Sequence, residues 1–176
     1  MIQINDKQFE LFLTKEQIQE EVSKVAAQLN NDYAGKSVTL IVILNGSFMF
    51  ASDLIKQLKF DNEVSFVKLQ SYNDFSSLGN VLELIGLNTE VAEKDVVVID
   101  VIVETGITIN SMLHKLHKKK VGSVNVCSLL FKPDAFKGDE APKYVAFTIP
   151  NKFIIGYGMD YNQKGRSLSG IYKLKD

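Results

Sequence analysis

The most informative segment of the sequence runs from Val96 to Thr108 and reads VVVIDVIVETGIT. Its apolar first part predicts a buried strand, and Glu104-Thr105-Gly106 predicts a turn into a helix. Gly106 permits a tight turn and the close approach of a ligand to the backbone. Because a helix begins with free N–H groups, this turn, together with the Thr105 and Thr108 hydroxyls, is suited to bind a phosphate group.

The turn alone leaves two interpretations open. It can bind a phosphate, or it can be a polar turn that caps a buried strand, with Asp100 at the strand edge. The chain contains neither G-x-x-x-x-G-K-[ST] nor G-x-G-x-x-G at this place. If the turn binds a ligand, a mononucleotide phosphate is therefore favoured over a dinucleotide.

Apolar strands alternate with amphipathic helices on both sides of this segment. Thr14 and Gln17 form a predicted capping box, which opens a helix with apolar residues at helical spacing. Further strands are predicted at 38–44, 64–70, 81–87, 124–131 and 144–149, and further helices at 48–58 and 104–119. The alternation predicts an α/β fold around a mostly parallel central sheet flanked by helices. Ligands of such sheets lie at the carboxyl ends of the strands.

Length and composition indicate an ordinary globular chain, with residues 1–176 expected to form a single domain. The net charge is −1 with both signs interspersed, so neither nucleic acid nor a membrane is expected as a partner. Cys127 is the only cysteine and lies in an apolar run, which excludes an internal disulfide and favours a buried thiol. The N-terminus lacks the apolar core of a signal peptide, and a cytoplasmic location is expected.

Several motifs together resemble the type I phosphoribosyltransferases, and in particular their hypoxanthine-guanine branch. Val96 to Thr108 resembles the phosphoribosyl-pyrophosphate motif, which has two adjacent acids and ends in D-[TS]-G-x-T. LNGS at 44–47 resembles the pyrophosphate loop, and SLLFK at 128–132 the purine-site strand. IPNKFIIGYGMDY at 149–161 resembles a further family segment, and Arg166 follows at the family's spacing. The resemblance implies the type I phosphoribosyltransferase fold, with a small hood region from the termini.

The resemblance also implies a reaction of purine salvage. The enzyme would transfer phosphoribosyl from phosphoribosyl pyrophosphate to a 6-oxopurine, hypoxanthine or guanine, and would release pyrophosphate with Mg²⁺ as cofactor. Glu104 would be the general base beside the purine imidazole. Asp100 would hold the ribose hydroxyls, and it would also contribute to the metal site with Asp160. The 5′-phosphate loop would consist of Thr105, Gly106, Ile107 and Thr108.

The other implied substrate contacts lie along the rest of the chain. Lys132 would donate to the purine O6, Phe153 would stack on the base, and Ile154 would offer backbone groups to the ring edge. The pyrophosphate loop and mobile loop would contribute Asn45, Gly46, Ser71 and Tyr72, and Arg166 would bind pyrophosphate. Residues 71–80 would form a lid, for which a plain hairpin tip is the alternative. A homodimer or homotetramer is expected from the family.

Each of these residues also has an ordinary interpretation. Without the resemblance, Phe153 and Ile154 would be core residues, and Lys132 would lie in a solvated turn. Asp160 and Arg166 would form a surface ion pair. Only their joint order and spacing favour a shared site.

Four residues depart from the family pattern. Val101 replaces the second acid, Glu104 the usual aspartate, Asn45 a lysine of the pyrophosphate loop, and Ile107 a lysine after the phosphate-loop glycine. Two hypotheses follow from these departures. The chain is an active enzyme with altered ribose and phosphate contacts, or it is a catalytically weak nucleotide- or phosphoribosyl-pyrophosphate-binding regulatory protein.

Overall fold

The computed structural model describes residues 1–71 and 81–175. Its strands are β1 (Ile2–Ile4), β2 (Lys7–Leu13), β3 (Ser37–Leu44), β4 (Asp61–Ser71), β5 (Val81–Ile85), β6 (Asp95–Val103), β7 (Ser123–Phe131), β8 (Tyr144–Thr148), β9 (Ile154–Ile155) and β10 (Ile171–Leu174). Its helices are α1 (Lys15–Asp32), α2 (Phe48–Ile55) and α3 (Ile107–Lys118), with a short 3₁₀ helix at Pro133–Ala135.

The central sheet has six strands in the order β5-β4-β3-β6-β7-β8. Strands β4, β3, β6, β7 and β8 run parallel, and β5 pairs with β4 in the antiparallel direction. The central strands β3 and β6 are buried along nearly their whole length, as their continuous apolar sequences predict. The predicted α/β fold with a mostly parallel sheet is confirmed.

Helices cover both faces of this sheet. The capping box predicted at the start of α1 is present, because Thr14 Oγ1 accepts from Gln17 N at 3.2 Å and Gln17 Oε1 accepts from Thr14 N at 2.9 Å. Helices α1 and α2 pack on one face against alternate residues such as Leu40 and Val42. Helix α3 packs on the other face against Ile41 and Ile43. The sheet is therefore enclosed on both sides, and its carboxyl edge remains for ligands.

A second, antiparallel sheet joins the two ends of the chain in the order β1-β2-β10-β9. Strand β10 pairs with both β2 and β9, with Leu174 opposite Phe9. This is the hood region that the sequence predicts from the termini. It brings residues 153–166 over the carboxyl edge of the central sheet, where they line a cavity with residues of β3 and β6.

Two predicted helix boundaries were wrong. Helix α3 begins at Ile107 rather than at Glu104, because Gly106 has a φ of +83°, which places the cap outside the helix. Helix α2 ends at Ile55 rather than at Leu58, because the backbone hydrogen bonds change from the α-helical to the 3₁₀ pattern there. Gln57 N donates to Leu54 O and Leu58 N to Ile55 O, which are three-residue rather than four-residue turns.

Cys127 is buried in β7, and burial raises the pKa of its thiol, so the prediction of a buried thiol is confirmed. Among the described residues, no helix has both the length and the apolar content needed to span a bilayer.

Candidate active site

Two adjoining cavities lie at the carboxyl edge of the central sheet. The larger, of about 670 Å³, lies between the ends of β3, β4 and β6 and the hood. The smaller, of about 230 Å³, lies in the turn between β6 and α3. Asp100, Glu104 and Thr108 line both cavities. Predicted site residues that line the larger cavity also include Asn45, Gly46, Lys132, Phe153, Ile154, Asp160 and Arg166.

The smaller cavity is the predicted phosphate turn. Thr105, Gly106 and Ile107 line it, and Ile107 is the first residue of α3, whose first N–H groups have no partner within the helix. A Cβ atom at Gly106 would come within 2.6 Å of the Phe136 ring, so both the space and the positive φ require glycine. The turn therefore combines hydroxyls, backbone donors and the positive end of the helix dipole, which suits a phosphate.

Asp100 projects from β6 into both cavities and is held by the loop that follows β3. Ser47 Oγ donates to Asp100 Oδ1 at 3.1 Å and accepts from Val101 N at 2.9 Å. Burial raises the pKa of the Asp100 carboxyl to about 7, although the hydrogen bonds from Ser47 and from the backbone of Val101 and Ile102 lower it. The side chain is partly exposed, and the cavity is its open side.

Val101, at the position of the family's second acid, borders the larger cavity as an apolar residue. Its side chain is buried, and a Cβ atom at Gly46 would lie 2.9 Å from Val101 Cγ1. Valine therefore fills the space beneath the loop after β3, where a carboxylate would be poorly solvated. This packing gives a structural reason for the departure that the sequence shows at this position.

Glu104 and Lys132 form an ion pair at the base of the larger cavity. Glu104 Oε1 lies 3.1 Å from Lys132 Nζ, and the side chains are 46% and 4% exposed, respectively. The Lys132 ammonium also donates to Asn151 Oδ1 at 3.4 Å. The interpretation of Lys132 as a residue of a solvated turn is wrong. Its ammonium lies in the cavity wall because Lys132 N donates to Val103 O, which ties the end of β7 to β6.

Phe153 lies at the hood side of the cavity and is 45% exposed, so the interpretation as a core residue is wrong for this side chain. Its ring packs against Tyr161 at 5.9 Å between centroids and against Phe9 at 6.2 Å. Lys7 Nζ lies 5.6 Å from the Phe153 ring centroid and 4.9 Å from that of Tyr161. The hood therefore holds an exposed aromatic ring in place at the cavity, while the neighbouring Ile154 is buried.

Asp160 and Arg166 pair with each other beside the cavity. Arg166 Nη2 lies 2.7 Å from Asp160 Oδ1, and Arg166 Nη1 donates to Gly158 O at 2.8 Å. The second carboxylate oxygen, Asp160 Oδ2, accepts from Gln163 N at 2.8 Å. The ion pair that the sequence allows is therefore present, and the roles of Asp160 toward magnesium and of Arg166 toward pyrophosphate stay predictions.

The loop after β3 completes the cavity at Asn45 and Gly46. The hood fits closely against it, because a Cβ atom at Gly158 would lie 2.0 Å from Gly46 O. Of the remaining predicted contacts, Ser71 ends β4, and nothing is described of its side chain. Tyr72 and the rest of the predicted lid, 72–80, lie outside the described residues.

The donor set of the cavity suits a hard cation bound with its substrate. Asp100 and Asp160 line the cavity, and carboxylates are the ligands Mg²⁺ takes from proteins. Across residues 1–71 and 81–175, no group of three or more His, Cys, Asp or Glu side chains is placed to hold a metal ion. Such a set fits magnesium, which is commonly held by one or two carboxylates together with substrate phosphates and water.

Sequence reasoning missed several residues of the cavity. Ser47 was noted only as part of a motif, and its contact with Asp100 joins residues 53 positions apart. Lys68 and Gln163 also line the cavity. A lysine near the end of an otherwise apolar strand was the available signal for Lys68. Gln163 could have been suspected from its place between Asp160 and Arg166.

Comparisons with known proteins identify the family of this chain. The family model for the phosphoribosyl transferase domain matches residues 12–162. A hypoxanthine-guanine phosphoribosyltransferase of Staphylococcus aureus is 40% identical over 167 residues, which are 94% of this chain and 93% of that protein.

Two solved structures have closely similar folds. A hypoxanthine phosphoribosyltransferase from Staphylococcus aureus has a TM-score of 0.91 and 40% identity, covering 97% of this chain and 93% of the other. A hypoxanthine-guanine phosphoribosyltransferase from Bacillus anthracis, with a HEPES molecule in its active site, has a TM-score of 0.90 and 32% identity. That likeness covers 97% of this chain and 99% of the other. The chain belongs to the phosphoribosyltransferase family.

Proposed function

We propose that this protein is a hypoxanthine-guanine phosphoribosyltransferase of purine salvage. Its nearly full-length similarity to proteins of that name supports the activity. The observation that carries the substrate class is Lys132, a buried cation in a cavity that an exposed aromatic ring, Phe153, also lines. A buried ammonium favours a 6-oxo group, which can accept a hydrogen bond from it, over a 6-amino group, which is itself a donor.

The reaction is a displacement at the ribose C1. An imidazole nitrogen of the purine forms the new bond to C1, and pyrophosphate leaves with the electron pair of the C1–O bond. The proton of the imidazole passes to the Glu104 carboxylate, which lines both cavities. The transition state is oxocarbenium-like, so positioning and charge stabilisation contribute more than a protein nucleophile.

The phosphoribosyl group is expected to bridge the two cavities. The turn from Thr105 to Thr108 would bind the 5′-phosphate through hydroxyls and the first N–H groups of α3. Asp100, which lines both cavities, would accept hydrogen bonds from the ribose hydroxyls. Val101 borders the same cavity but carries no polar side-chain atom, so Asp100 would be the one acid of this pair that contacts the ribose, as the active-enzyme hypothesis requires.

Pyrophosphate would be bound where Asp160 and Arg166 line the larger cavity. Asp100 and Asp160 would hold Mg²⁺, which when bound offsets the charge of the leaving pyrophosphate. Arg166 would donate to the pyrophosphate oxygens, and for this it must exchange part of its pairing with Asp160. Asn45 and Gly46 would contact the same group from the loop after β3.

We further propose that residues 1–176 act as one domain, since β2 and β10 join both ends of the chain into the hood. A cytoplasmic homodimer or homotetramer is proposed from the family. Val64 and Phe66 are exposed apolar residues on one face of β4, and such residues are typical of a subunit interface. Light scattering on the purified chain would test the assembly.

The decisive experiment is turnover of each purine base with phosphoribosyl pyrophosphate and magnesium. We expect hypoxanthine or guanine to yield its nucleoside monophosphate, and adenine to yield little. Glu104→Asp should reduce turnover in an enzyme adapted to glutamate, because a carboxylate displaced by about 1.5 Å is misplaced for proton transfer. Absence of turnover with nucleotide binding intact, or equal turnover of adenine, would contradict the proposal.

A further inference from the structure

The Glu104–Lys132 pair involves two groups with different access to solvent. Lys132 Nζ is nearly enclosed, whereas the Glu104 side chain is half exposed and lines both cavities. A buried ammonium requires acceptors, and among the described residues Lys132 Nζ contacts Glu104 Oε1 at 3.1 Å and Asn151 Oδ1 at 3.4 Å. The carboxylate is the closer of the two and the only one of them that is charged, so it is the main partner of Lys132 among the described residues.

The length of the glutamate side chain makes this contact possible. One methylene extends a side chain by about 1.5 Å. Without it, the 3.1 Å contact would lengthen to about 4.6 Å, beyond the range of an ion pair. Within the part of the chain that the structure describes, an aspartate at position 104 would therefore leave Lys132 with the long contact to Asn151.

We propose that Glu104 has a second role in the proposed reaction, as an exchangeable counter-ion that couples recognition of the 6-oxo group to proton transfer. The inference rests on the proposed function. When a 6-oxopurine binds, its O6 replaces the carboxylate as acceptor for Lys132, and Glu104 is released toward the imidazole. The carboxylate becomes available to accept the imidazole proton only when the correct base is in place.

A 6-amino purine cannot make this exchange. Its amino group is a donor and offers the ammonium no replacement acceptor, so Glu104 stays paired with Lys132. Such a base can enter the cavity, but the Glu104 carboxylate is not released to accept its imidazole proton. Adenine is therefore rejected twice. It binds more weakly because it cannot accept a hydrogen bond from Lys132, and it reacts more slowly because Glu104 is not released.

Nucleotide binding tests this coupling without requiring turnover. Dissociation constants of inosine monophosphate and adenosine monophosphate are measured by calorimetry for the wild type, Glu104→Asp, Lys132→Met and the double variant. Inosine monophosphate must displace the carboxylate from Lys132, whereas adenosine monophosphate leaves the pair intact. Adenosine monophosphate is therefore the internal control for any other effect of the shorter side chain.

In Glu104→Asp, we expect inosine monophosphate to bind about tenfold more tightly relative to adenosine monophosphate, because no carboxylate competes with O6. In the Lys132→Met background the same change should alter this ratio less than twofold. An unchanged or lower ratio in Glu104→Asp, or the same increase without Lys132, would overturn the proposal. If Lys132→Met does not fold, the ratio in Glu104→Asp still decides it.

The outcomes also separate this inference from the proposed function. Failure of the wild type to turn over any purine base would refute the activity, and the binding ratios would still be measurable. Turnover of hypoxanthine together with an unaltered ratio in Glu104→Asp would leave the activity in place and refute the counter-ion role alone.

Discussion

Removal of the Ser47 hydroxyl is the most direct test of how the site is built. Ser47 is completely buried, donates to Asp100 Oδ1 at 3.1 Å and accepts from Val101 N at 2.9 Å. Ser47→Ala removes both contacts and leaves a buried N–H group unpaired. A buried unsatisfied group costs about 1–3 kcal/mol, and the lost bond to a carboxylate adds to this. We expect the free energy of unfolding to fall by about 2–4 kcal/mol.

The same change should weaken substrate binding. Ser47 fixes the orientation of Asp100 in the cavity, and its hydrogen bond lowers the pKa of that carboxyl. Without it, the pKa rises further and less of the carboxylate is ionised at neutral pH. The KM for phosphoribosyl pyrophosphate should rise about tenfold, while the KM for hypoxanthine changes little.

Ser128→Ala is the matched control. Ser128 is also completely buried, and its hydroxyl donates to Leu130 O at 2.7 Å within β7. Its loss should cost about 1 kcal/mol and leave the KM for phosphoribosyl pyrophosphate unchanged. Stability is measured by urea unfolding and the KM values by initial rates. If Ser47→Ala is no more destabilising than Ser128→Ala and the KM for phosphoribosyl pyrophosphate is unaltered, the bridging role of Ser47 is refuted.

Three further predictions follow from other parts of the site. Lys132→Met should lower kcat/KM for hypoxanthine about 10- to 100-fold and that for adenine much less, since one charge-assisted hydrogen bond is lost; parallel rates on both bases check this. Burial raises the pKa of Asp100 to about 7, so the folded state favours the uncharged carboxyl. The stability that this preference gives is fully present below pH 4 and is lost as the pH rises through 7. Between pH 4 and pH 8, the free energy of unfolding of Asp100→Asn should rise relative to that of the wild type by up to about 4 kcal/mol. Urea unfolding without magnesium at the two pH values measures this, and a difference between the two proteins that is the same at both would contradict it. Gly158→Ala should lower the free energy of unfolding by more than about 3 kcal/mol, because φ is +98° and a Cβ atom would lie 2.0 Å from Gly46 O. Gly35→Ala is the control, because its φ is also positive, at +72°, but a Cβ atom there meets no atom within 4 Å. Equal losses of thermal stability in the two glycine variants would contradict the steric argument.

Local patterns in the sequence were sufficient for the architecture. The continuous apolar stretches of β3 and β6 predict strands buried on both faces. The capping box at Thr14 predicts where α1 begins from residues three positions apart. The phosphate turn could be predicted as well, because its hydroxyls, glycine and helix start are neighbours in sequence. These features depend on periodicity and on interactions between residues a few positions apart.

The burial and the partners of the side chains in the site depend on contacts between elements that are far apart in the sequence. The pairing of Glu104 with Lys132 and the bond from Ser47 to Asp100 join residues of different elements. Lys132 is buried although its segment reads as a polar turn, and its N–H group donates to Val103 O, which ties the end of β7 to β6. Distance, solvation and hydrogen-bond partners are set by how the elements pack, and those contacts leave no local periodic pattern in the sequence.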